Sequence, residues 1–351
     1  MVKRFREYWD FREPLERPVV NIAVPSKHER RDIYFGSDFN KTLDYWVKVF
    51  DERKDLMDDC IPNTSTFFYF GHAFMPSLAG APLRVSENST WSEPILDSLE
   101  HTEDIRLDWE SENWKRFREF YDFFSDRSAG RFAVPQHLAK SPGELMCSLR
   151  DPQKLIYDFF DTPDLVKEFG EKCADLSIEY SRRILTDVPL TAIDGGHVYC
   201  WANWVPGDAA CFSEDYTANW SPQIYNEFIK PLDRRFISSF SISNMEWHSG
   251  NNHIFPCFPK VSAVEFNLDP VHDSIKEAFK YLLPYKGEIR LQIPCEKHEV
   301  RSVIETFGIK GIMITTSCDS VKEGNRLLDD ISKWSDQYKK QNKEPFHVGG
   351  V

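Results

Sequence analysis

Short apolar runs alternate along this chain with apolar stripes of helical spacing, and their order predicts the architecture. Residues 38–57 carry Leu43, Trp46, Val47 and Phe50 at the spacing of one helix face. Residues 66–74 (T-F-F-Y-F-G-H-A-F) form a continuous aromatic run, which predicts a buried strand ending at Gly71-His72. The stretch after it reads as a loop with a hairpin excursion over 83–91. Trp109, Trp114, Phe117, Phe120, Tyr121 and Phe124 predict an amphipathic helix over 108–124. Further strands are predicted at 131–136, 190–194, 242–248, 263–267, 288–293 and 311–316.

Ser141-Pro142, Asp151-Pro152 and Thr162-Pro163 each mark a helix start. The capping side chain satisfies a free amide donor, and proline at the first helical position has no amide to leave unpaired. Ser221-Pro222 opens another helix, which Pro231 is expected to kink. Residues 197–220 read as one long aromatic loop carrying Tyr199, Trp201, Trp204, Asp215 and Tyr216. Strand and helix alternating at this spacing predict an α/β fold, a single (β/α)8 TIM-type barrel. Seven strands are read directly, and the eighth falls near 19–24 or within 83–91. Residues 1–60 are expected to be an irregular N-terminal arm packed on the barrel, a candidate dimer element, and residues 61–345 the barrel itself. The alternative is an open doubly wound sheet, disfavoured because no glycine-rich phosphate loop follows a first strand.

Composition narrows the function classes. With 351 residues, 41% of them hydrophobic and 14% aromatic, the chain can bury a large core. A formal charge of −13 argues against nucleic acid, which needs clustered lysine and arginine. No segment has the apolar length to span a bilayer and the N-terminus lacks a signal-peptide core, so a cytoplasmic protein is expected, without a membrane partner. The eight cysteines contain no C-x-x-C and do not form a disulfide framework in that setting. Cys200, Cys257, Cys295 and Cys318 stand at predicted strand ends.

Candidate chemistry centres on residues 241–257 (S-I-S-N-M-E-W-H-S-G-N-N-H-I-F-P-C), where an apolar-leaning run stops at His248, Gly250 and the paired amides Asn251 and Asn252. In parallel barrels the reacting groups sit at the C-terminal strand ends. A strand capped by a structural histidine has the same signature. Asp194 ends an apolar strand before Gly195-Gly196, and Gln136, His72, Glu265 and Asn267 end strands as well, so all are candidates to ring one polar mouth. Tyr199, Trp201, Trp204 and Tyr216 are candidates to wall it, or to be core.

The segments S-P-G-E-L-M-C-S-L-R-D-P-Q-K-L-I-Y-D-F-F and A-C-F-S-E-D-Y-T-A-N-W-S-P-Q-I-Y-N-E-F, with the His248 strand and the closing T-T-S-C-D-S, resemble the uroporphyrinogen decarboxylase superfamily over residues 130–340. That resemblance implies a single TIM-type barrel and one of two activities: decarboxylation, or methyl transfer linked to a corrinoid on a partner protein. It also implies a polar, substrate-facing residue at Asp215. The arginine-rich motif that grips tetrapyrrole carboxylates is missing; the nearest basic cluster is at 27–31. The zinc-dependent methyltransferases that it resembles use H-x-C and a later cysteine. His248 and Cys318 match, Gly250 replaces the middle cysteine, and Glu265 or Cys257 would have to supply a third ligand.

The leading expectation is therefore a methyltransferase or demethylase acting on a small molecule, with zinc and a corrinoid protein as candidate cofactor and partner. Catalytic candidates are His248, Asp215 and Asp194; substrate-binding candidates are Gln136, His72, Tyr216, Trp204, Asn251 and Asn267; metal candidates are His248, Cys318 and Glu265. The alternatives are a cofactor-free decarboxylase pairing Asp194 or Asp215 with a cation such as Arg290, and a ligand-binding barrel that has lost its catalytic groups.

Overall fold

The strands in chain order are β1 (Val19–Ala23), β2 (Leu83–Val85), β3 (Thr90–Ser92), β4 (Ala139–Lys140), β5 (Ala192–Ile193), β6 (Gly196–Tyr199), β7 (Asn203–Pro206), β8 (Ala209–Glu214), β9 (Ile242–His248), β10 (Ala263–Asn267), β11 (Arg290–Pro294) and β12 (Ile312–Ser317). The structure is a computed structural model that describes residues 2–14, 16–28, 37–86, 89–199, 203–269 and 274–342. Seven strands form one parallel sheet in the order β1-β12-β11-β10-β9-β8-β4, flanked by helices. This α/β arrangement is consistent with a TIM-like barrel, although ladder pairing among the described residues does not close the sheet. Between the edge strands β1 and β4, single backbone hydrogen bonds link Asp59 to Val20, Thr64 to Ala133 and Ala133 to Pro62. Val19–Ala23, within the first sixty residues, is thus a strand of the main sheet, while the 83–91 excursion is a separate antiparallel hairpin, β2-β3.

Residue-by-residue alternation sorts the sheet into two unlike faces. Phe212, Met245, Trp247, Val264, Phe266, Leu291, Ile293, Ile314, Val20 and Ile22 share the outer face and join the main apolar core under the helices. Burying each large side chain there contributes about 1.5–3 kcal/mol. The alternate residues Ser213, Asn244, Glu246, Glu265, Gln292 and Asn21 share the inner face, and all are buried although polar. The N-terminal end of this inner face is plugged by Phe5, Tyr8 and Trp9 of the helix Lys3–Trp9, together with Trp204 and Val205 of the antiparallel meander β5-β6-β7.

Three expectations are corrected. The aromatic run at 66–74 is helical (Thr66–Phe70, then Phe74–Leu78), because Phe70 and Phe74 pack on Phe117 at 4.6 and 4.4 Å and tertiary contact overrides strand propensity. Gly71 separates the two helices at φ +67, and a Cβ there would sit 2.0 Å from Thr90 Oγ1. Residues 197–220 are not one loop: they hold β6, β7 and β8, with Gly207 (φ +61) turning the chain between the last two. Residues 190–194 do not enter the main sheet but open the meander. Helix starts at Ser141, Asp151 and Ser221 carry side-chain caps, and Thr162 opens its helix without one. The helix from Ser221 departs from α geometry at a π-turn, Tyr225–Ile229, just before Pro231. Among the described residues no helix is long and apolar enough to cross a membrane.

Candidate active site

His248 ends β9 beside the end of β10, so the next turn brings Asp269 against its imidazole. Nδ1 donates to Asp269 Oδ1 at 2.7 Å, while Asp269 Oδ2 accepts from the Gly250 amide at 2.7 Å and the Ser249 hydroxyl at 3.2 Å. Gly250 matters sterically, because a Cβ there would lie 3.2 Å from Asp269 Oδ2. A side chain at 250 would therefore press on this carboxylate, which would have to give by a few tenths of an ångström. The other ring nitrogen, Nε2, faces Asp215 Oδ1 at 3.5 Å and Glu246 Oε1 at 4.0 Å. Asn267, the register partner of His248, donates to Glu246 Oε1 at 3.0 Å.

Beside this group, Lys140 leaves β4 and Glu144 stands in the first turn of the helix Pro142–Leu149. Glu144 accepts from Lys140 Nζ at 3.1 Å, Ser213 Oγ at 2.7 Å and the Asp215 amide at 2.6 Å. It therefore fixes the backbone that carries Asp215. Lys140 Nζ lies over the Tyr216 ring at 5.9 Å, and His72 stands within electrostatic range of Lys140 and Glu144.

Burial and charge push the acids in opposite directions. Burial, then the Glu144 charge, raise Asp215 to about 7 against the opposing His248 and Lys140 charges. Burial and the Asp215 charge raise Glu246 to about 8. Burial lowers His248, but the Asp215 charge, the Asp269 hydrogen bond and the Glu246 charge outweigh it, so the net shift is upward. Asp269 moves down despite burial, held ionised by His248 and the Gly250 amide. Glu144 likewise moves down against its own burial, chiefly through Lys140. Burial and the Lys140 charge depress His72 to about 4, leaving it a neutral imidazole. The result is one coupled cluster in which Asp269 is held toward its ionised form and His248 toward its charged form, while burial holds Asp215 and Glu246 toward their protonated forms, so ionisation of Asp215 and protonation of His248 favour each other.

The predicted residues divide between the two ends of the sheet. His248, Asp215, Asn267, His72 and Tyr216 gather at the C-terminal strand ends, and Asn251, buried beside them, donates to the Glu214 carbonyl. Asp194 is exposed in the β5-β6 turn, its carbonyl bonded to Arg6. Gln136 bonds the Ala209 carbonyl at 3.0 Å where β8 begins, and takes His197 Nε2 at 2.6 Å. Trp204 belongs to the plug beneath, bonding the Ile193 carbonyl at 2.8 Å. These three lie at the N-terminal end because the meander, and not a barrel strand, carries or contacts them. Arg290 starts β11 at that same end and bonds the Trp9 carbonyl, so it does not face Asp215. Cys200, Trp201 and residues 29–31 of the basic cluster lie outside the described residues.

The zinc donors do not converge. Cys318 is buried in the apolar core with Glu323, Lys297 and Asp319 as its charged neighbours, Glu265 lies deeper beside Glu246 and Gln292, and His248 is tied to Asp269. Among the described residues no group of three His, Cys, Asp or Glu side chains is placed to hold a metal ion. Sequence reasoning passed over Lys140, Glu144, Glu246 and Asp269. The S-P-G-E capping pattern at 141–144 and the N-x-E-x-H alternation of β9 are the signals that mark Glu144 and Glu246.

The fold has a solved counterpart. In structure the chain is similar to a methyltransferase from Methanosarcina mazei, with a TM-score of 0.59, 10% identity, and 94% of this chain and 97% of that chain covered. No protein-family model matches the sequence, and no curated protein does. At this identity the likeness is one of fold.

Proposed function

We propose that this chain is an enzyme that moves a methyl group from a small molecule, with Asp215 as the general acid and His248 as its proton reservoir. The observation that supports this most is the chain Asp269–His248–Asp215, at 2.7 and 3.5 Å, placed at the strand ends of a fold shared with a methyltransferase. When a methyl leaves oxygen, nitrogen or sulfur, the bond's electron pair stays on the heteroatom while a nucleophile's lone pair takes the carbon. Protonating that heteroatom makes it a competent leaving group, and a positioned acid contributes about 10²–10⁴-fold. An acid near pH 7 is matched to this task, and Asp215 is one. Its proton is replaced from the His248 imidazolium, whose side chain is partly open to solvent. Asp269 holds the ring in place and favours its charged form. In this proposal the acceptor is brought by a partner, and a corrinoid protein is the candidate that the sequence resemblance supplies.

The decarboxylase alternative loses Arg290 as its cation, and the cation whose charge does reach Asp215, Lys140, is already paired with Glu144 at 3.1 Å. A filled, inactive mouth fits poorly with the solvent access of His248 and Asp215. The test supplies the full chain with reduced free cobalamin and a panel of methyl ethers, methyl thioethers and methylated amines, and quantifies demethylated product by mass spectrometry. Asp215→Asn is expected to lower the rate by about 10² or more. Absence of product across the panel overturns the proposal.

A further inference from the structure

Below His248 the inner face is lined by groups whose hydrogen-bonding capacity is unused. Glu246 and Glu265 are register partners on adjacent strands, so their side chains stand next to each other on that face. Each is buried, and each has a carboxyl oxygen, Oε2, without a partner. Two buried amides adjoin this pair, one on the same face of β9 and one bonded to the neighbouring Gln292. Asn244, 1% exposed and two residues before Glu246 on β9, leaves Nδ2 unpaired; Asn203, fully buried, donates to Gln292 Oε1 at 3.3 Å and leaves Oδ1 unpaired. Gln292 in turn hydrogen-bonds Glu265.

Buried polar atoms are almost always paired, and an orphan costs about 1–3 kcal/mol. Here the orphans on the four residues are two carboxyl oxygens, which become acceptors as the acids ionise, one amide oxygen and one amide N–H group. The charges around them do not neutralise the acid pair. His248 reaches Glu246 only at 4.0 Å from above, while Arg290 below is bonded to the Trp9 carbonyl through Nη2 and lies over the Phe11 ring at 4.9 Å, its Nε buried and unpaired. Tyr8 completes the floor with its hydroxyl unpaired.

We infer that this inner face is a recognition site for a cationic head group rich in N–H donors, of the amidine, guanidine or amine class, seated between Glu246 and Glu265. Such a group offers donors to the orphan acceptors and supplies the positive charge that the acid pair lacks. The inference rests on the methyl-transfer reading only in making this group part of the substrate; binding itself is independent of it.

The test compares acetamidinium, acetamide and acetate, three probes of one shape but different charge and donor count. Each is added at equal concentration to the full chain without a methyl donor, with binding read by calorimetry and thermal shift. Acetamidinium is expected to bind best, acetamide more weakly and acetate least. Glu265→Gln, which keeps the shape and removes the charge, is expected to weaken acetamidinium at least about tenfold. Release of protons on acetamidinium binding, read from the buffer dependence of the binding heat, gives a second readout in the unmutated chain. Acetate binding as well as acetamidinium, no binding by any probe, undiminished binding in Glu265→Gln, or binding of calcium in preference to acetamidinium each overturns the inference. Binding without methyl transfer in the donor panel would leave this site standing and remove the reaction proposed above.

Discussion

Replacing Asp269 by asparagine removes the anion that holds His248. In the native chain Asp269 Oδ1 takes the imidazole Nδ1–H at 2.7 Å, and its other oxygen is anchored by the Gly250 amide and Ser249 hydroxyl. A hydrogen bond to a charged group is worth about 1.5–3 kcal/mol. The His248 side chain is 34% exposed, so solvent screening reduces that to roughly 1–1.5 kcal/mol. At about 1.4 kcal/mol per pKa unit, the His248 pKa should fall by about one. The assay is an NMR titration of the histidine ring protons in both proteins.

Linkage fixes the accompanying stability profile. A histidine with a raised folded pKa stabilises fully below its ordinary value of about 6.5, and that contribution is lost as pH rises through the folded value. Asp269, held low, contributes above about 3.9 and loses its contribution as pH falls through its folded value. The stability deficit of Asp269→Asn should therefore be greatest between about pH 4 and 6.5 and shrink toward pH 9. An unchanged or higher His248 pKa, or a deficit that is flat with pH, would refute the reasoning.

Two further outcomes follow from the buried charges. Glu246→Gln should match the native stability near pH 4 and exceed it increasingly as pH rises, levelling off above about 8, because ionising this buried acid costs the fold roughly 5 kcal/mol at most; urea denaturation at several pH values checks this, and a constant difference contradicts it. Lys140→Met should cost about 3–5 kcal/mol by stranding Glu144, with much of the loss recovered in the double variant Lys140→Met/Glu144→Gln. A single variant within about 1 kcal/mol of the native chain would show that the pair is not held as described.

The sheet was legible in the sequence where alternation or turn chemistry was strong. The strand runs ending at His248 and Asn267 were read directly, as were the capped starts at Ser141, Asp151 and Ser221. What misled was local aromatic content: Thr66–Phe70 has strand-like composition, yet its rings complete a helix-to-helix aromatic cluster that only tertiary packing reveals. The site was half legible. His248 and Asp215 stand together, but their spacing in sequence carries no trace of Asp269, which reaches His248 only because β9 and β10 are register partners. Asp194 reads as a mouth residue because an apolar run ending in glycine looks alike whether it is a barrel strand or the arm of a meander at the opposite end. The 131–136 run before Gln136 makes only isolated bridges, with β4 starting at Ala139, and Trp204 lies in an aromatic stretch that reads as loop but pairs as β7. Glu246 was hidden by its neighbours, since a carboxylate between Met245 and Trp247 breaks the apolar pattern only on the face that the alternation assigns inward.

The most direct measurement is the pH profile of kcat/KM for methyl transfer with the best donor of the panel, in the native chain and in Asp215→Asn. With Asp215 as the proton donor, activity should be full below about pH 7 and fall about tenfold per pH unit above it, and the residual rate of the variant should lack that break. A rate that climbs through pH 7, or an Asp215→Asn variant that retains both the rate and the break, would contradict the account.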